Sequence, residues 1–285
     1  MAKRGDKRSA VLAAVVLGIC SAAFLAGILS FEHIPLSGAL SHLRQSPAPP
    51  LPPEFPDVAI VVIDVHSMQQ SPELWPWPRD RFSELVVRLD AAGAKVIVIN
   101  VDFSTRQARR EDMKFAQTIK TSGHVVLAAT SALQATEDSA VVERARLPAP
   151  EFRIGAAAVA HALLDPDSKG IVRHGLRRGH IDGQDYPSLA QAAVAVAMGE
   201  NPVPLEVSAF PIDYRRVDPP IPIIPAAEVL SGSFEPGDVA GRIVLIGGTA
   251  ERFDDRWKTP LGEQADGIYI QALATRTLLA ERAYR

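Results

Sequence analysis

The sequence predicts an α/β domain with a largely parallel sheet and helices on both faces, preceded by one N-terminal transmembrane helix and a Pro-rich stalk. Three observations carry this expectation. From Asp57 onward, short apolar runs alternate with segments of helical periodicity. An uncharged run from Ser9 to Phe31 follows Lys3, Arg4, Lys7 and Arg8. Six of the ten residues from Pro47 to Pro56 are proline.

At about 1.5 Å per helical residue, the run over 9–31 matches a hydrocarbon core of roughly 30 Å. The flanking cations stay on the cytoplasmic side, so residues 1–8 form a basic cytoplasmic tail and everything after the span lies outside. The run exceeds the apolar region of about 7–15 residues found in cleaved signals, which favours a retained anchor. Leu17-Gly18-Ile19-Cys20 loosely resembles a lipoprotein cleavage site, with the bulky Ile19 against it. Residues 32–56 read as a stalk, since proline-rich chain favours polyproline II at about 3.1 Å per residue and acts as a semi-rigid spacer.

The domain occupies residues 57–285. Val58 to Ile63 is a continuous apolar run, too short for a buried helix and rich in β-branched residues, and reads as a strand. Phe82, Leu85, Val86 and Leu89 recur at helical spacing, with Pro78 just before them and Gly93 at the end. Val96 to Ile99 is the next strand. A helix from about Glu111 to Thr121 turns Ala116 and Ile119 inward, stops before Gly123 and leads to a strand over Val125 to Ala129. Strand and helix alternating at this spacing imply a parallel sheet covered on both faces. The middle, from about Ile154 to Tyr214, mixes strands with an Ala-rich helix near Ser188 to Met198. Ile243 to Ile246 is a further strand, and a last helix from about Gln264 presents Ile268, Ala272, Thr275 and Leu279 on one side.

Composition narrows the function. With 285 residues, 47% hydrophobic and 22% charged, the chain is neither a disordered polymer nor a polytopic transporter. A net charge of −3 gives no basis for nucleic-acid binding. One cysteine, Cys20, excludes an intrachain disulfide and a four-cysteine zinc site. Neither a Gly-x-Ser-x-Gly elbow, a Walker lysine nor the paired helical histidines of a zinc protease is present, so no catalytic residue, metal site or cofactor is assigned.

The candidate ligand-binding residues are Asp64, Trp75, Trp77, Arg79, Asp102, Thr249 and Asp255. Asp64 and Asp102 fall at the carboxyl ends of predicted parallel strands, where open α/β sheets place ligands. The alternative is that each caps the turn or helix that comes next. Trp75-Pro-Trp-Pro-Arg79 offers either a ligand wall with an anion contact or a lid packed over the sheet edge. Gly247-Gly248-Thr249 fits a nest of backbone donors, and Asp254 and Asp255 come after it in the loop. Lys169, Arg173, Arg177 and Arg178 read first as a solvated strand face.

The chain resembles the second type of the CHASE family, the extracellular sensory domains associated with bacterial cyclases and histidine kinases. The resemblance is carried by Ala59 to Asp64, the Trp75 to Arg79 block, Gly93 to Phe103, Gly123-His-Val-Val-Leu127 and Pro166 to Arg173. Pro187-Ser-Leu189, Asp213-Tyr-Arg215, Gly241 to Gly247, Asp255, Thr259-Pro260 and Gly267 complete it, in order, over nearly all of the chain from Asp57. Lys169, Tyr269 and Gln271 depart from the acid and histidine residues of relatives.

The resemblance implies a membrane-anchored sensor of unknown ligand, regulating an intracellular cyclase or histidine kinase and itself no enzyme. The bacterial inner membrane is the expected location, with a single pass, the N-terminus cytoplasmic and the domain periplasmic or extracellular. The expected partners are the lipid bilayer through residues 9–31 and a small ligand or protein, with a homodimer an open option and no nucleic acid. The end of the chain at Arg285 fits either a sensor portion of a longer receptor or an accessory subunit docking on a larger membrane complex.

Overall fold

A computed structural model describes residues 48–135, 141–181, 183–202, 209–217, 219–249, 253 and 255–284. The expected basic tail and transmembrane run lie outside the described residues. Among the described residues, no helix is long and apolar enough to cross a membrane.

The α/β expectation holds. The central sheet contains β1 (Val58–Ile63), β2 (Val96–Asn100), β3 (Val125–Ala135), β5 (Ala158–His161), β11 (Ile223–Pro225) and β12 (Ile243–Gly248). These six strands are parallel and run in the order β11–β1–β12–β2–β3–β5. An antiparallel strand, β4 (Val141–Arg146), pairs with the far end of β3, from Thr130 onward. The four apolar runs read from sequence are therefore β1, β2, β3 and β12. All six residues of β1 are buried, as a strand covered on both faces requires.

Alternate residues of β1 go to opposite cores. Val58, Ile60 and Val62 pack against α5 (Leu189–Ala197) and α7 (Gly267–Ala283). Ala59, Val61 and Ile63 face the other layer, built from α2 (Arg79–Ala91), α3 (Arg109–Ser122), α4 (Pro150–Gly155) and α6 (Ala226–Ser231). The short α1 (Val65–Gln70) comes directly after β1. Each fully buried aliphatic side chain in such a core contributes about 1.5–3 kcal/mol of transfer free energy.

The predicted helices have local causes. Pro78 stands at the N-cap of α2, and Phe82, Leu85, Val86 and Leu89 are its buried stripe. In α3 the inward residues are Phe115 and Ile119, with Ala116 only partly buried, and Gly123 ends the helix in the left-handed region at φ 74°. Ser188 caps α5 by accepting from the Gln191 amide. The last helix begins at Gly267 rather than Gln264, because β14 (Gln264–Asp266) pairs with β13 (Arg256–Lys258) as a two-stranded ribbon. Further small antiparallel pairings involve β6 (Asp165–Pro166), β7 (Val172–Leu176) and β10 (Ala209–Pro211) in one sheet, and β8 (Arg178–Ile181) with β9 (Gln184–Pro187) in another.

The described part of the Pro-rich stretch lies against the domain. Arg216 donates to the Pro49 carbonyl at 3.0 Å, the Tyr284 hydroxyl donates to the Pro50 carbonyl, and Leu51 and Phe55 pack on the core. A turn closed by the Phe55 amide on the Pro52 carbonyl (2.9 Å) breaks the extended conformation. Beside it, Asp57 accepts from Arg276 Nε (2.7 Å) and Nη2 (2.8 Å) and from Arg242 (3.1 Å), while Arg276 Nη1 also donates to the Arg216 and Pro219 carbonyls.

Candidate functional site

A cleft of about 620 Å³ opens at the carboxyl ends of β2, β5 and β12. That is where open parallel sheets collect ligands, and the volume suits a small molecule. Its wall includes Trp75, Asp102, Arg146, Phe253, Asp255 and Trp257.

Asp102 comes just after β2 and holds two fixed partners. The Ser104 amide donates to Oδ1 at 2.8 Å and Arg146, at the end of β4, donates to Oδ2 at 2.7 Å. Burial raises the carboxyl pKa, but the bonds from Ser104 and Arg146 outweigh it and leave the group below its ordinary value. Asp102 is thus a carboxylate already neutralised by a neighbour.

Asp255 is the opposite case. Burial pushes its pKa up, the hydrogen bond from the Trp257 indole (2.6 Å) pulls it down, and the nearby Asp266 pushes it up again, with a net rise. Its carboxyl group rests over Gly267, the first residue of α7, where a Cβ would fall 2.3 Å from an acid oxygen. The Asp255 carbonyl also accepts from the Gly267 amide at 2.8 Å. Only glycine lets the acid lie there. Similarly, the Phe253 ring lies over Gly248, where an added Cβ would fall 2.3 Å from it. Trp75 meets Phe253 edge to face, with centroids 4.9 Å apart.

Among the seven sequence candidates, the structure brings Trp75, Asp102 and Asp255 together. The others stand elsewhere. Asp64 caps α1, its Oδ1 accepting from the Ser67 amide at 2.7 Å. Trp77 is fully buried in the core beneath α2. Arg79, 2% exposed, lies over the Phe103 ring at 4.7 Å and donates to the Thr105 carbonyl at 2.6 Å, with Asp112 at 3.5 Å. Its pKa is lowered by burial, which the attraction of Asp112 and Asp102 only partly offsets. The Thr249 amide donates to the Ile63 carbonyl at 3.2 Å, and Gly247 and Gly248 belong to β12, so those donors serve the sheet and its packing. Asp254 lies outside the described residues. In the basic cluster, Arg173 pairs with Asp167, Arg177 with Glu281 and Arg178 with Asp185.

Sequence reasoning missed Arg146, Phe253 and Trp257. Trp257 stands two residues from Asp255, on the same side of an extended segment, and that is the one local signal of its role. Arg146 reaches Asp102 only through the pairing of β4 on β3, and no spacing announces that.

These features define a class: a three-layer α/β domain with an aromatic, charged cleft at the strand ends. The particular family emerges from comparison of the sequence. The model of the CHASE2 domain matches residues 11–285, and the chain belongs to that family. CHASE2 domains are extracellular sensory domains rather than enzymes. No curated protein and no solved structure matches the chain significantly.

Proposed function

We propose that this chain is a membrane-anchored sensor whose ligand enters the cleft between Asp102 and Asp255. In this reading residues 9–31 are the retained anchor, residues 1–8 are cytoplasmic, and the domain faces the outside of a bacterial inner membrane. Ligand binding regulates an intracellular output such as a cyclase or histidine kinase. It does so through differential contacts with two states of the domain, the only way a ligand shifts an equilibrium. The observation that carries the reading is the cleft itself, open at the ligand-collecting end of the sheet and lined by aromatic and charged side chains.

The test is thermal unfolding of the full chain in detergent against metal ions, organic acids, amines and nucleotides. A ligand present at a hundred times its Kd adds about 2.7 kcal/mol to the folded state. For a domain of this size that raises the midpoint by about 5–10 °C. Loss of the shift in Trp75→Ala and Asp102→Ala supports the reading. A flat panel on a folded protein overturns it and favours a docking subunit.

A further inference from the structure

We infer that the cleft takes a small organic ammonium cation, seated against the Asp255 carboxyl group among Trp75, Phe253 and Trp257. The inference rests on the sensor reading only in placing the ligand in this cleft. The first argument is charge. Three ionisable side chains line the wall, Asp102, Arg146 and Asp255. Arg146 is spent on Asp102 at 2.7 Å, and no cation among the described residues pairs with Asp255. Its single side-chain bond there comes from a neutral indole. Among the described residues this acid has no counter-charge, and a bound cation supplies one.

The second argument is the lining. Aromatic rings attract a cation through their quadrupoles and shed water easily, which suits an alkylammonium better than a hydrated metal ion. Hard metal ions ask for six or more oxygens, and among the described residues no three His, Cys, Asp or Glu side chains converge to hold one. An anion, by contrast, would meet Asp255 with Arg146 already engaged.

The test uses the full chain in detergent with butylammonium and putrescine, against 1-pentanol, butyrate, magnesium and calcium as controls. Binding is read from the unfolding midpoint and from tryptophan fluorescence, since Trp75 and Trp257 both line the cleft. The amines are expected to raise the midpoint and the controls to leave it unchanged. Asp255→Asn keeps the shape and the indole bond while removing the charge, and is expected to weaken the amines by about tenfold or more. Its midpoint without ligand should not fall, because a half-buried charge that pairs with no cation among the described residues is removed. Gly267→Ala, which occupies the space of the acid, is expected to give the same loss independently. Equal binding of 1-pentanol, or amine binding unchanged in both variants, overturns the inference. A shift by butyrate or a metal ion alone also overturns it and leaves the sensor reading standing. No shift by any compound of the broader panel removes both.

Discussion

Replacing Arg276 by methionine tests the account of how the domain is closed. Methionine keeps the apolar stem and deletes the guanidinium of a residue only 3% exposed. Four hydrogen bonds disappear, two to the Asp57 carboxylate and two to the carbonyls of Arg216 and Pro219. Breaking a buried ion pair costs about 3–5 kcal/mol when the remaining charge is stranded. Asp57 is not stranded here. Its side chain is 25% exposed and keeps Arg242 at 3.1 Å and the Val58 amide at 2.8 Å, so the lower end, about 3 kcal/mol, applies. That is a large share of a typical stability of about 5–15 kcal/mol, and converts to a midpoint lower by about 6–12 °C. Thermal unfolding of the full chain, followed by tryptophan fluorescence, measures it. The double variant with Asp57→Asn should lose less than the sum of the single losses. A midpoint within about 1 °C of the parent protein would refute the reasoning and mark the network as a surface ornament.

Other outcomes rest on the same geometry. His161 is fully buried, with Nε2 unpartnered and burial driving its pKa from 6.5 down to about 4. The unfolded chain therefore binds the proton more readily, so stability present above pH 6.5 is lost as the pH falls toward 4, by about 3 kcal/mol. Unfolding midpoints across that window should fall steeply in the parent and less in His161→Gln. Arg79→Lys gives up the planar stack on Phe103 and the donor to Thr105, and is expected to destabilise by about 2–3 kcal/mol in urea unfolding. It should leave ligand affinity of the folded protein unchanged, whereas a selective loss of affinity would place Arg79 in the site. Asp64→Asn retains the cap of α1 and should lie within about 0.5 kcal/mol of the parent, while Asp64→Ala loses about 1 kcal/mol in the same assay.

Much of the sheet was legible because its strands are buried on both faces. A run such as Val58 to Ile63 advertises that condition by composition alone. The helix stripe at Phe82, Leu85, Val86 and Leu89 was equally plain, since each residue sits on one side of a 3.6-residue period. Strand order was not legible. β12 inserts between β1 and β2 although more than half of the domain's sequence separates it from either neighbour, and nothing local records the partner. Nor is β11 legible, because Ile223–Pro225 is a strand only by virtue of its pairing with β1. At the candidate site, the strand-end position exposed Asp102, while Asp64 at the equivalent place in β1 turned into a helix cap. The two acids differ in the conformation of the chain beyond them. Residues after Asp64 coil at once into α1, and those after Asp102 run as a loop that leaves the carboxylate to meet Arg146 from β4.

The path of α7 has a mechanical consequence. The helix begins at Gly267 beneath the Asp255 acid, passes Asp57 at Arg276, and ends where Tyr284 holds the Pro50 carbonyl. Its 17 residues make a strut of about 25 Å that runs from one end of the sheet to the other. Helices displaced in packed proteins move as units by an ångström or two rather than compressing. The acid at the top of the strut and the proline strap at its foot are therefore the two ends of one stiff rod. A single unbroken helix thus joins the floor of the cleft to the segment that leads into the domain.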